Sequence, residues 1–150
     1  MELHNALMPT PEVAERFRSS DDPRPVVMVN LLKFRPRAVY ADGRASDLTG
    51  EQAFMLYSAS MNRIVRSFGG RFLVSALVDE LVIGTGELVW DRIAMVEYPS
   101  RKAFLAVASS PEVKEAAIHR HAGLEGQLLI ATQLQSFLGE PVNTDRRNGS

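Results

Sequence analysis

The sequence predicts an α+β domain of the ferredoxin-like kind, a βαβ–βαβ chain with a four-stranded antiparallel sheet and helices on one face. Three observations predict it. Apolar residues at three- and four-residue steps mark a long helix up to Phe68, flanked by apolar runs of strand character at residues 26–34 and 71–78. A second strand, helical stretch and strand follow at residues 88–134. Only a short segment around Gly84-Thr85-Gly86 joins the two halves, so the inner strands are expected to pair antiparallel.

Each element has its own signal. Thr10-Pro11-Glu12 starts a short leading helix that ends near Ser19: a hydroxyl cap, a proline at the first helical position, and an acid at the positive end of the dipole. Residues 26–34 are almost continuously apolar, as in a strand covered on both faces. Asn30 and Lys33 interrupt that run with opposite parity and so point to opposite faces. A polar, basic loop fills residues 35–47. Thr49 and Gln52 match a capping box, and Phe54, Tyr57, Met61, Ile64, Val65 and Phe68 then form one apolar stripe. Gly69-Gly70 stops that helix, because glycine tolerates the left-handed cap.

Residues 71–78 read as the second strand, Leu81-Val-Ile83 as a further short apolar run, and residues 88–98 as the third strand. Ser100 caps a helix through about Ala108, and Ser110-Pro111-Glu112 starts another that runs to His121 or Ala122, with Gly123 as its expected cap. Residues 128–134 form the last strand. The organisation expected is a leading helix and loop over residues 1–24, one domain over residues 25–138, and a flexible polar tail over residues 139–150.

Composition excludes several functions. With 150 residues the chain fits one domain with a core of its own. Seventeen Lys and Arg against 18 Asp and Glu give a net charge of −1, which supplies no field for nucleic acid or an anionic membrane. The absence of cysteine removes disulfides, thiolate nucleophiles and cysteine-type metal sites, and it fits a reducing compartment. The residues after Met1 carry no signal-peptide pattern, and no apolar stretch approaches the roughly 20 residues of a membrane span, so a cytoplasmic location is expected. Gly84-Thr85-Gly86 lacks the lysine and the helix of a phosphate loop, and no nucleophile elbow or zinc-protease spacing is present. No metal and no cofactor are expected.

Helices on one face leave the other face of the sheet bare. The strand at residues 26–34 is apolar on both sides, so that bare face calls for a partner, most simply a second copy of the chain.

Several segments carry a resemblance. Met28-Val-Asn-Leu-Leu-Lys-Phe34, Gly69-Gly-Arg-Phe72 and Trp90-Asp-Arg-Ile-Ala-Met-Val-Glu-Tyr-Pro-Ser-Arg101, together with Ser110-Pro-Glu112 and Arg120, resemble the bacterial family called domain of unknown function 1330, of the dimeric α+β barrel superfamily. One departure is Val113, where the family usually has an aromatic. The resemblance implies a homodimer in which two sheets face each other and close a barrel, with a small cavity in each subunit. Among superfamily relatives are cofactor-independent oxygenases and isomerases as well as proteins of no assigned activity, so fold alone does not fix chemistry.

The residues offer two functional readings: a small organic ligand held in a barrel cavity, with or without catalysis, or a non-catalytic structural or interaction dimer. The weak catalytic candidates are Asn30, Tyr57, His119 and Glu97, and the ligand-binding candidates are Asn30, Tyr57, Trp90 and Arg120. Asn30 is an amide in an apolar strand and needs hydrogen-bond partners, either a ligand or a neighbour such as Tyr57. Tyr57 lies on the apolar stripe of its helix, as a core residue or with its hydroxyl in a cavity. His119 and His121, two apart on a helix, do not share a face and are poorly placed to grip one metal; His119 follows Glu115 by four, the spacing of an ordinary surface pair. Asp91 and Glu97 share a strand face with Ile93 and Met95, as a buried base or as rim carboxylates paired with Arg92, Arg101 or Arg120. Trp90 suits an interface or the barrel mouth as well as a ligand face. His4 is expected in a mobile terminus.

Overall fold

The computed structural model describes His4, Ala6 and residues 8–143. The elements run α1 (Pro11–Arg18), β1 (Val26–Phe34), α2 (Gly50–Ser67), β2 (Arg71–Leu77), β3 (Arg92–Tyr98), α3 (Arg101–Ala108), α4 (Pro111–Gly123) and β4 (Leu124–Thr132), followed by a small hairpin of β5 (Ser136–Phe137) and β6 (Glu140–Pro141). The main sheet has the order β2-β3-β1-β4 and every neighbouring pair is antiparallel. This is the ferredoxin-like α+β topology. Of the tail expected to fray from residue 139, residues 139–141 belong to the hairpin turn and β6, and residues 144–150 lie outside the described residues.

The caps form as their chemistry requires. Thr49 Oγ1 accepts from Gln52 N at 3.1 Å, and Gln52 Oε1 accepts from Thr49 N at 2.9 Å. Ser100 and Ser110 cap α3 and α4 in the same way. Gly69 takes φ +85° and ends α2.

Gly123 plays a different part from the one expected. It is no left-handed cap: α4 runs straight into β4, and Leu124 is already extended. A Cβ at Gly123 would lie 2.4 Å from the Gly50 carbonyl oxygen, and one at Gly50 would lie 2.6 Å from the Gly123 carbonyl oxygen. The two glycines let α2 and α4 touch backbone to backbone. Arg35 stitches the crossing, donating from its N–H to Gly123 O at 2.8 Å and accepting from Gly50 N at 3.1 Å.

Parity divides the sheet. Val26, Met28, Asn30 and Leu32 of β1 share the helix-covered face with Tyr98, Val96, Ala94 and Arg92 of β3. The main core lies there: Met28, Val96 and Tyr98 pack with Met61, Ile64 and Val65 of α2 and with Phe104 and Leu105 of α3. Phe17 of α1 closes one end, its ring 5.6 Å from that of Phe104. The opposite face carries Val29, Leu31, Ile93, Met95, Leu128 and Ile130 with no helix upon it. At one end of this face the chain leaves β4 and, by Phe137, has reached the opposite edge strand, where the ring lies 5.2 Å from the Arg71 guanidinium.

The β2–β3 connection differs from expectation. Leu81-Val-Ile83 forms no strand and stands in solvent, with Val82 and Ile83 85% and 89% exposed. β3 starts at Arg92 rather than at residue 88: Asp91 still donates from its N–H to Leu32 O at 2.8 Å, and the paired register ends at Arg92.

Candidate functional site

A cavity of about 780 Å³ lies between the helix-covered face of the sheet and α2, α3 and α4. Its walls are mostly apolar, with Met28, Phe54, Met61, Phe72 and Val96 among them. All of these walls come from one chain. The cavity therefore does not need the facing of two sheets, in keeping with the small cavity expected in each subunit. The cause is the parity of β1, which turns Met28 and Asn30 toward the helices, together with the gap left between the sheet and α2.

Asn30 stands in the cavity wall at the centre of β1. Its Nδ2 donates to the carbonyls of Met28 at 3.4 Å and Ala94 at 3.3 Å. Its Oδ1 accepts from Gln127 Nε2 at 2.9 Å. Gln127 Oε1 in turn accepts from Arg120 Nε at 2.9 Å and from Arg120 Nη2. A polar relay thus runs from β1 through β4 to α4. The partner of Asn30 is Gln127 rather than Tyr57.

Tyr57 and Tyr98 also line the cavity, and neither hydroxyl bonds another described residue. Burial pushes both phenols up, and for Tyr57 the Arg120 guanidinium opposes part of that rise. Burial pulls Arg120 down from the usual guanidinium range, with Tyr57 opposing. Both tyrosines therefore remain protonated donors near neutral pH. Arg120 pairs with no carboxylate among the described residues.

The family model described as "Domain of unknown function (DUF1330)" matches residues 38–134. The chain belongs to the DUF1330 family. It is similar to the RPA0582 protein of Rhodopseudomonas palustris, described as of unknown function, with 32% identity over 87% of this chain and 98% of that one and a TM-score of 0.75. The methylated form of RPA0582 gives 33% identity over 90% and 98%, with a TM-score of 0.77. A protein of Bacteroides fragilis described as dimeric, of unknown function and of ferredoxin-like fold is 16% identical over 73% and 96%, with a TM-score of 0.43, too distant to carry an argument. No curated protein matches the chain.

In this DUF1330 protein the remaining candidates lie away from the cavity. His119 Nδ1 shares a hydrogen bond of 2.7 Å with the Tyr40 hydroxyl, so its partner is Tyr40 and not Glu115. The Tyr40 ring also stacks under the Arg44 guanidinium at 4.8 Å, and its bond to His119 ties the polar loop after β1 onto α4. Glu97 sits on the bare face and pairs with Arg71 at 3.1 Å. Asp91 accepts from Phe34 N at 2.8 Å and pairs with Lys33 at 3.5 Å. Neither carboxylate takes Arg92, Arg101 or Arg120; Arg92 binds Glu51 at 2.8 Å and Ser75 at 3.0 Å. Trp90 is half-buried in the β2–β3 connection and is not part of the cavity wall. His4, expected in a mobile terminus, lines the cavity.

Gln127 and Tyr98 carry no motif. Gln127 could have been found only by starting β4 at least one residue earlier, where its parity matches Leu129 and Ala131 on the cavity side. Among the described residues no group of three or more His, Asp or Glu could hold a metal ion, and no helix is long and apolar enough to cross a membrane.

Proposed function

We propose that this DUF1330 protein is a homodimer that binds a small organic molecule in the cavity between its sheet and its helices. The observation that carries the reading is the cavity itself: apolar walls with a few convergent polar groups, Asn30, Tyr57, Tyr98 and Arg120, within the size range of small-molecule sites. The bare sheet face supports the dimer. Val29, Leu31, Met95 and Ile130 form a contiguous apolar patch, and the exposed Val82 and Ile83 add a second apolar surface that another copy could cover. The cysteine-free composition supports a reducing compartment such as the cytoplasm.

The arrangement favours binding over catalysis. An oxygenase or isomerase acting on a carbon acid needs a base at the substrate. Glu97 and His119 are engaged elsewhere, and among the described residues no Asp or Glu lines the cavity, His4 being the one imidazole in its wall. One observation favours the alternative of a structural dimer: both polar atoms of the Asn30 side chain are already bonded to protein.

Soaking crystals of the full chain with a library of small aromatic and aliphatic compounds tests the reading. Density for several of them between β1 and α2 is the expected result. A cavity that stays dry and empty of every compound, with no ligand raising the melting temperature, would overturn it.

A further inference from the structure

Four arginines line the cavity, Arg16, Arg92, Arg101 and Arg120, and no Asp or Glu does so among the described residues. Their situations differ. Arg16 is exposed on α1, Arg92 is neutralised by Glu51 at 2.8 Å, and Arg101 lies over the Phe17 ring at 4.9 Å. Among the described residues Arg120 has only the neutral amide of Gln127. A guanidinium withdrawn from water without a counter-ion is unfavourable, and a planar anion is the group that best restores the balance.

The donor inventory of Arg120 points the same way. Of its five N–H groups, Nε and one of Nη2 are taken by Gln127 Oε1, which leaves three for a ligand. The Gln127–Asn30 relay fixes the orientation of the fork, and Asn30 is held in turn by two strand carbonyls. Tyr57 and Tyr98 offer two further hydroxyl donors to the cavity. Around this polar end the surface is apolar, with Met28, Phe54, Met61 and Phe72.

We propose that the cavity selects organic carboxylates with an apolar body, the carboxylate received by Arg120 and the body by the Met and Phe walls. This rests on the cavity reading above and adds the chemical class of the ligand. Burial of the two tyrosines supports it, since a phenol kept protonated donates to the anion.

The test is calorimetric titration of the full-length protein with 4-phenylbutyrate, its neutral amide 4-phenylbutanamide, and inorganic phosphate. The acid is expected to bind about tenfold to a hundredfold more tightly than the amide, the worth of a charge-assisted hydrogen bond. Arg120→Gln should abolish that preference while leaving amide binding within about threefold. Arg120→Lys keeps the charge but loses the fork and should retain only part of the preference; it serves if Arg120→Gln fails to fold. Equal binding of acid and amide overturns the carboxylate assignment and leaves the cavity reading intact. Phosphate binding as tightly as phenylbutyrate overturns the requirement for an apolar body. Absence of binding by acid and amide alike, with the crystals also empty of every compound, overturns both readings.

Discussion

The two faces of one sheet teach different lessons. The helix-covered face carries Met28, Asn30, Leu32 and Val96; the bare face carries Val29, Leu31, Ile93, Met95 and Ile130. Their composition is nearly the same, since both are rows of aliphatic side chains at period two. Their fates differ. Leu32 on the first is wholly buried, whereas Ile93 and Ile130 on the second are 36% and 46% exposed. The covered face is filled from within the chain, apart from one cavity whose polar groups are tied into a relay. The bare face has no cover from the described chain except where the terminal hairpin reaches Arg71. One face is thus closed by the chain's own helices and the other is left bare.

The largest effect expected is on the bare face. Replacing Ile93 and Ile130 together by Lys should weaken self-association by about 4 kcal/mol, two interface anchors' worth, and sedimentation at micromolar concentration should pass from dimer to monomer. A wild type already monomeric at that concentration would break the assignment of this face and leave the fold untouched. On the covered face, Leu32→Ala should cost about 3 kcal/mol of folding stability in urea titration, by lost burial and a cavity that the sheet cannot collapse. The same truncation at Ile93 in a monomeric background should cost well under half as much, and equal losses would erase the distinction between the faces.

Gln127→Leu probes the relay. It leaves Asn30 Oδ1 and the Arg120 fork without their partner and should cost about 2 kcal/mol in the same titration. The smallest effect lies off both faces. Arg24 bonds Asp22 through its side chain and its backbone and holds that carboxyl down at about 2, below its usual 3.8. A lowered pKa adds stability above the unfolded-state value and loses it as pH falls from about 4 to about 2. Because the pair is solvated, Asp22→Asn should cost only a few tenths of a kcal/mol at pH 7, a difference that shrinks steadily as pH falls toward 2 in thermal melts.

Legibility followed the range of the interaction. The caps at Thr49, Ser100 and Ser110, the stop at Gly69, and the period-two and 3.6 patterns act within a few residues, and each was readable from neighbours in sequence. The strands adjoining turns were less so: β3 is shorter than its apolar run and β4 begins earlier than its own, because pairing across the sheet sets strand ends. The site was half legible. Asn30 was conspicuous as an amide in an apolar strand, and Tyr57 and Arg120 stood out by type. Gln127 and Tyr98 did not, since nothing local separates a cavity glutamine or tyrosine from a surface or core one.

What the sequence determined by itself was the α+β element order, the antiparallel halves, and a second apolar sheet face in want of a partner. The tertiary structure decided three further things. It set Gly123 against Gly50 so that α2 and α4 meet at their backbones. It gave His119 to Tyr40 and Glu97 to Arg71, pairs separated by 79 and 26 residues. It left a cavity inside one chain, where Arg120, with no carboxylate beside it among the described residues, is oriented by Gln127 and Asn30. The reason is common to all three: each depends on which side chains meet across elements, and that is fixed only when the helices settle on the sheet.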